Sequence, residues 1–206
     1  ASCDELYFTI KGKGGHAALP ALTNNPISIA AGLVIEINKI MDEVNPNKKP
    51  AVLSIGKFNT IGGATNVIPE IVKLEGTFRC MDEEFRIQIH EHLESLCQQL
   101  SIKHNCNIEI RIDKGYPCLL NNVHASQRFF NAAQMYLGKE NVQELPPRMT
   151  SEDFAYYSQK IPAVFYRLGT GESEGVHSAQ FIVNEESIKV GAGMMAWLAL
   201  DFYKNT

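Results

Sequence analysis

The first 115 residues alternate between the apolar spacing of strands and that of helices, in the order βαββαβ. The predicted strands are 4–11, 51–59, 71–80 and 107–113. Helices are predicted to begin after Asn25 and after Asp82, because both residue types cap helices, and Pro26 suits the first helical position. Two right-handed crossovers in this order give a ferredoxin-like sandwich, with a four-stranded antiparallel sheet and both helices on one face. The predicted fold class is therefore α/β (α+β).

A different pattern begins at residue 116. Helices are predicted to start at Asn121 or Asn122 and near Asn184. The run 163–168 is almost entirely apolar, which is typical of a strand buried on both faces. The last helix is predicted to point four apolar side chains inward: Ile188, Met195, Leu198 and Phe202. One strand is too few for an α/β sheet, so we expect this segment to be an incomplete α/β domain. The predicted domains are 1–115 and 116–206.

The overall composition narrows the class of protein. The chain has 206 residues, 45% of them hydrophobic, with a net charge of −4, which excludes disorder and gives no basic surface for nucleic acid. No apolar run reaches the ~18 residues of a membrane-spanning helix, and we recognise no charged-then-apolar leader. The five cysteines are scattered without a C-x-x-C pair, which favours free thiols in a reducing compartment. We therefore expect a cytoplasmic protein that binds neither nucleic acid nor a membrane.

Two glycine-containing segments are the first candidates for a functional site. Residues 12–20 place His16 on a loop with three glycines, where the ring can donate a hydrogen bond or exchange a proton. An incidental histidine in a surface turn is the alternative. A phosphate loop is disfavoured, because the next helix starts only near Pro26. Residues 62–69 contain Asn66, which either serves a site or caps a turn.

Two further polar side chains lie where they can serve a site. Arg79 is on the polar face of a predicted strand, where its guanidinium can bind a carboxylate or pair with Glu75 or Asp82. His177 follows a glycine-rich loop, but no H-x-x-x-H, H-E-x-x-H or H-x-D pattern completes a metal site around it. Four other histidines are expected on helix surfaces or in turns and are assigned no role: His90, His92, His104 and His124.

Five short segments occur in an order that resembles one enzyme family. They are Gly12-Lys13-Gly14-Gly15-His16 up to Pro20, Gly63 to Pro69 with Asn66, Gly76-Thr77-Phe78-Arg79, Ser151-Glu152-Asp153-Phe154, and His177-Ser178. Together they span nearly the whole chain, which closely resembles the metal-dependent aminoacylase/carboxypeptidase family of zinc metallopeptidases. Within that family the chain is similar to the amidohydrolase branch, which includes hippurate hydrolase, N-acetyldiaminopimelate deacetylase and auxin-conjugate hydrolases.

The resemblance implies a role for the first segment of the chain. In that family a ferredoxin-like lid interrupts a zinc-peptidase-like catalytic domain and joins two subunits into a homodimer. His16 would reach into the partner subunit's active site and stabilise the oxyanion of the tetrahedral intermediate. Asn66 and Arg79 would bind the substrate, its carboxylate in particular.

For the second segment, the resemblance implies the C-terminal part of the catalytic domain. His177 would be the last metal ligand, and Gly169 and Gly171 would line the substrate pocket. Glu152 and Asp153 match the signature of the branch without an assigned role. The family uses two divalent metal ions, most typically zinc, with manganese, cobalt or nickel as the other options. Its remaining metal ligands and its glutamate general base come from an N-terminal half that this chain does not contain.

The enzyme implied by the resemblance hydrolyses the amide bond of N-acyl amino acids or small peptides. This chain alone is expected to be inactive and to bind no metal stably, because one histidine cannot hold a two-metal site. A non-catalytic ferredoxin-like module, for dimerisation or amino-acid binding, stays open as the alternative. A third interpretation, a nucleotide-binding protein, would place phosphate at Gly12 to Gly15.

Overall fold

The structure is a computed structural model that describes residues 1–45 and 48–204. The chain forms two compact units. The first unit contains Ala1–Leu119 together with Arg148–Tyr156, and the second contains Leu120–Pro147 together with the chain from Tyr157 onwards. Within the described residues, we find no helix with the length and apolar character that crossing a membrane requires.

A four-stranded antiparallel sheet forms one layer of the first unit. Its strands are β1 (Asp4–Lys11), β3 (Ala51–Ile61), β5 (Ile71–Cys80) and β6 (Asn107–Lys114). They lie in the order β3-β5-β1-β6, so each crossover passes over one strand of opposite direction. A separate two-residue ladder joins β2 (Gly15–His16) to β4 (Val67–Ile68). The strand order is that of a ferredoxin-like domain, and the predicted α/β fold class is confirmed.

Helices α1 (Pro26–Glu43) and α2 (Glu83–His104) form the second layer of this unit. Both begin at the predicted caps: the side chain of Asn25 accepts the N–H of Ile27, and that of Asp82 accepts the N–H of Phe85. Alternate residues of the strands point into the core between the layers, because successive side chains of a strand face opposite sides. The largest fully buried side chains of this core include Phe8, Phe78, Leu33, Ile37 and Leu93.

Within the described residues, three α-helices follow the sheet, namely α3 (Val123–Leu137), the single turn α4 (Ala155–Ser158) and α5 (Glu186–Lys204). Helices α3 and α5 pack against each other in the second unit. Gly193 allows their close approach, since a Cβ at that position would lie 2.0 Å from the hydroxyl oxygen of Tyr136. Trp197 stacks on Tyr136 and donates its Nε1–H to the carbonyl of Ala132 at 2.9 Å.

The inward face predicted for α5 is wrong for three of its four residues. Ile188, Met195 and Phe202 are exposed, and only Leu198 is partly buried. The face that packs against α3 carries Gly193 and the buried Met194 instead. A helix packs most closely where its side chains are smallest, and apolar spacing alone gave no weight to the glycine.

The strand predicted at 163–168 does not form. The side chain of Asn121 takes the place of a neighbouring strand: its Oδ1 accepts the N–H of Phe165 at 2.8 Å, and its Nδ2 donates to the carbonyl of Phe165 at 2.9 Å. The N–H of Asn122 also donates to the carbonyl of Ala163 at 3.0 Å. A strand needs a ladder of backbone partners along its length, whereas these asparagine contacts reach Ala163 and Phe165.

Candidate active site

His16 lies on a loop that backbone hydrogen bonds hold at its base and near its tip. At the base, Lys13 and Asn24 exchange two backbone hydrogen bonds of 2.9 and 2.8 Å. Beyond the base, Gly15 and His16 form β2 and pair with β4. The loop therefore holds His16 on a frame of backbone pairs, which a free surface turn would not provide.

Gly12 and Gly14 are required by the close approach of neighbouring backbone. A Cβ at Gly12 would lie 2.2 Å from the carbonyl oxygen of Asn24, and a Cβ at Gly14 would lie 2.6 Å from that of Ile68. No side chain tolerates these distances, so only glycine fits. The glycines thus serve contacts between backbone segments, and their presence does not require a phosphate ligand.

A local hydrogen bond sets the tautomer of the exposed His16 ring. The backbone N–H of Ala18 donates to the Nδ1 atom of His16 at 3.1 Å. Because Nδ1 accepts this bond, the neutral ring carries its proton on Nε2. Among the residues that the structure describes, the Nε2 atom has no hydrogen-bond partner. The loop therefore presents one N–H donor outward.

The segment that contains Asn66 lies beside the His16 loop. Gly62 and Gly63 turn the chain with φ angles of 74° and 94°, which glycine adopts without strain. The carbonyl of Asn66 accepts the N–H of Ala17 at 3.0 Å, next to the β2–β4 ladder. The structure thus brings the predicted site residues His16 and Asn66 together on one two-stranded ribbon.

Arg79 lies apart from this ribbon within the first unit. It is the ninth of the ten residues of β5, about 25 Å along the strand from Ile71, the residue nearest the ribbon. Neither Glu75 nor Asp82, the alternative partners considered from the sequence, bonds to it. They pair with Lys57 and Lys49, each at 2.7 Å.

The partners of Arg79 come from the segment Arg148–Tyr156, which packs with the first unit. Its Nη1 atom donates to the carbonyl of Met149 and to the hydroxyl of Ser151, both at 3.3 Å. The rings of Tyr156 and Tyr116 meet edge to face, 5.9 Å between centroids. The motif with Glu152 and Asp153 therefore lies in the same unit as Arg79.

The remaining predicted site residues are in the second unit. Gly169 and Gly171 lie on the loop before α5, and Gly171 has a φ of 88°. His177 is exposed and has a φ of 76°, a conformation that is sparsely populated outside glycine and concentrates at functional sites. Its turn is closed by the N–H of Ser178, which donates to the carbonyl of Gly175 at 3.0 Å.

The side chains present do not fit a metal centre. Within residues 1–45 and 48–204, no three His, Cys, Asp or Glu side chains lie close enough together to hold an ion. Catalytic zinc takes three protein ligands, and the resemblance implies one of them here, His177. A dinuclear centre therefore needs ligands in addition to those that the structure describes.

Sequence reasoning missed a buried ionic cluster in the first unit, formed by Asp4, Arg86 and His90. The fully buried Asp4 accepts hydrogen bonds from Nε of Arg86 and from Nε2 of His90, both at 2.8 Å. Nη2 of Arg86 bonds the second carboxylate oxygen. The expectation that His90 lies on a helix surface is wrong, since the residue is 5% exposed.

This ionic cluster joins α2 to the first residue of β1 and to the segment after β6. The N–H of Gly115 donates to Asp4 at 3.2 Å, and Nη2 of Arg86 donates to the carbonyl of Gly115 at 3.3 Å. Glu83 accepts from Nη1 of Arg86 at 3.1 Å and from the N–H of Cys118. Burial by itself raises the pKa of Asp4, but the hydrogen bonds and charges of Arg86 and His90 outweigh it and lower that pKa to about 2.

The first unit thus carries His16 on its ribbon, and the second unit carries the exposed His177. Residues 9–201 match peptidase family M20/M25/M40. The chain therefore belongs to peptidase family M20/M25/M40, and the resemblance drawn from the five motifs is confirmed.

Individual relatives agree with this family. The chain is 31% identical over 195 residues to an N-acetyldiaminopimelate deacetylase of Geobacillus sp., covering 95% of the chain and 51% of the relative. It is 35% identical over 190 residues to an N-acetyl-L-cysteine deacetylase of Bacillus subtilis, covering 91% and 44%. The YXEP protein of Bacillus subtilis, a dinuclear metal binding peptidase from the M20 family, aligns with a TM-score of 0.74 at 26% identity, covering 100% and 51%. The chain thus spans about half the length of the relatives it matches.

Proposed function

We propose that the full-length protein hydrolyses the amide bond of N-acyl amino acids or small peptides, and that this chain supplies its lid and the C-terminal part of its catalytic domain. The observation that carries the proposal is the outward Nε2–H of His16, whose ring is oriented by Ala18. Two relatives named as deacetylases of N-acetyl amino acids support the substrate class.

The N–H donor that His16 offers suits amide hydrolysis. Attack on the amide carbonyl moves negative charge onto its oxygen, and a preorganised N–H donor stabilises that charge more than it stabilises the substrate. The neutral ring donates through Nε2 because Nδ1 is already engaged by Ala18. Asn66 lies on the same ribbon, and its exposed amide would contact the same substrate.

The lid is proposed to join two subunits, so that His16 serves the active site of the partner. The strand β3 supports this arrangement, since its eleven residues form an open edge of the sheet. Such an edge carries unpaired backbone N–H and C=O groups and is a ready surface for a second copy. The donor on the His16 ring also faces outward, as a contribution to another subunit requires.

His177 is proposed as the one metal ligand that this chain contributes to the full-length enzyme. An imidazole suits zinc as well as manganese, cobalt or nickel, and zinc is our proposal for the native ion. The chain alone is proposed to be inactive, since the described residues form no metal cluster. The five cysteines are free thiols, which supports the cytoplasm as the compartment.

The activity of the full-length protein and of this chain tests the proposal. With a panel of N-acetyl amino acids, we expect the full-length protein to release the free amino acid, and to stop doing so after chelation of divalent metal. We expect no release by the purified 206-residue chain. Metal-dependent release by the chain alone would contradict its proposed inactivity. Failure of the full-length protein on every N-acyl substrate would instead favour a non-catalytic binding module.

Replacing Arg79 by alanine in the full-length protein is expected to raise KM for substrates with a free carboxylate. A hydrogen-bonded charge pair is worth roughly 10- to 100-fold in binding. KM for substrates whose carboxylate is converted to an amide should change little. Both kinds of substrate are affected equally by any loss of the contacts to Met149 and Ser151, so the ratio of their KM values reports on carboxylate binding. Lys73→Ala, on the polar face of the same strand, is the control. Equal effects on both substrates would argue against carboxylate binding.

A further inference from the structure

The side-chain amide of Asn24 joins the base of the His16 loop to the end of α2. Its Nδ2 atom donates to the carbonyl of His104 at 2.7 Å and to the carbonyl of Asn105 at 3.1 Å. The backbone of the same residue exchanges two hydrogen bonds with Lys13. One residue therefore ties the loop to a 22-residue helix whose other face is packed in the core.

The chemistry of the helix end explains why an amide is needed there. The last carbonyls of a helix have no partner within it, and Asn105, in the left-handed conformation, ends α2. An amide NH₂ carries two hydrogens, which matches two carbonyl oxygens. A carboxylate of the same shape carries none and would repel both oxygens.

Loss of this contact is expected to affect the loop far more than the fold. Asn105 is exposed and His104 is half-buried, so water can replace the amide at both carbonyls. Among the described residues, no other hydrogen bond ties the base of the loop to α2, and the sheet and its core do not involve the amide of Asn24. The two ends of the loop would then be held by backbone pairs alone.

We propose that Asn24 is a positioning residue for His16. Its amide fixes the base of the loop on α2. Because His16 is only three residues beyond Lys13 at this base, the position of the base determines where the His16 ring donates. The inference rests on the proposed function only where it concerns catalysis. The mechanical part, that Asn24 orders the loop, stands on the two hydrogen bonds to α2.

Two measurements on the variants Asn24→Ala and the isosteric Asn24→Asp test this inference. The control is Asn107→Ala, because the amide of Asn107 donates to the exposed side chain of Glu109. In the 206-residue chain, NMR is expected to show the backbone order parameter of His16 falling from about 0.85 to below about 0.6, with amide exchange of Lys13 and Ala17 about tenfold faster. In the full-length enzyme, kcat is expected to fall about tenfold while KM stays within about twofold, since the transition state loses a donor that the ground state does not use.

The positioning role of Asn24 and the catalytic role of His16 can be contradicted separately. If order and exchange in the Asn24 variants match those of Asn107→Ala, the positioning role is wrong, whatever His16 does. If faster exchange extends to core amides such as those of Leu6 and Phe78, Asn24 is a general stabilising residue and the role is again wrong. If His16→Ala leaves turnover unchanged while the Asn24 variants still loosen the loop, the proposed function fails and the positioning of the loop stands.

Discussion

Replacing Arg86 by methionine is expected to lower the free energy of unfolding by about 3–5 kcal/mol, the typical effect of removing one partner of a buried ion pair. Methionine keeps much of the packing but leaves the carboxylate of Asp4, which has no exposed surface, with only His90 and the N–H of Gly115. Urea denaturation followed by circular dichroism measures the change. The matched control is Lys57→Met, which breaks the exposed pair with Glu75 and should unfold at almost the wild-type urea concentration. Equal midpoints for the two variants would contradict the prediction.

The dependence of the free energy of unfolding on acidic pH is a second test of the same ionic cluster. The pKa of Asp4 is about 2 in the folded chain, against an ordinary value of 3.8. Because the folded value is the lower one, the cluster stabilises the fold fully above about pH 5 and loses this contribution as the pH falls towards 2. The difference corresponds to roughly 2 to 3 kcal/mol. The Arg86→Met variant should show a smaller loss over this range, and an acid dependence equal to that of the wild type would contradict the assignment.

The fold of the first unit could be predicted because each of its strands has one buried face. Leu6, Phe8 and Ile10 alternate with polar residues on β1, and the predicted bounds of β1 and β5 agree with the structure. The run 163–168 could not be predicted in the same way. An apolar run indicates burial but not a partner, and here Asn121 satisfies the backbone that a strand would have paired. The prediction of the inward face of α5 was wrong for a related reason: apolar spacing gave no weight to Gly193, which lies against Tyr136 of α3.

The sequence allowed the residues of the candidate site to be predicted, but not how they are arranged in space. His16 and Asn66 stand out by their glycine-containing motifs, yet the two-residue ladder that joins them is too short to leave any periodic signal. Asp4 did carry a signal: it has the same parity on β1 as Leu6, Phe8 and Ile10, so an acid had to be buried and paired. Its partners Arg86 and His90 are four residues apart, so they lie on the same face of α2. The composition of the helix alone does not indicate this.

Replacing His16 by alanine in the full-length protein is expected to lower kcat about 10²- to 10³-fold, the typical effect of removing one oxyanion donor. KM should change little, since the donor matters most after the amide carbonyl has been attacked. The control is His92→Ala, which removes an exposed histidine of α2 from the same unit. Circular dichroism should be unchanged in both variants, because the His16 ring is exposed and, among the described residues, accepts a hydrogen bond from Ala18 alone. Wild-type turnover in His16→Ala would exclude the oxyanion role.

In the proposed homodimer, mixing two inactive variants decides whether His16 acts on its own subunit or on the partner. His16→Ala and His177→Ala subunits are each expected to be nearly inactive alone. If His16 serves the partner's site, a mixed dimer contains one complete site, made of the His177 of one subunit and the His16 of the other. Random mixing in equal amounts should then restore about a quarter of wild-type activity, because half of the dimers are mixed and each has one working site. If His16 serves its own subunit, both sites of a mixed dimer are defective and mixing restores nothing, which would contradict a lid that works across the dimer.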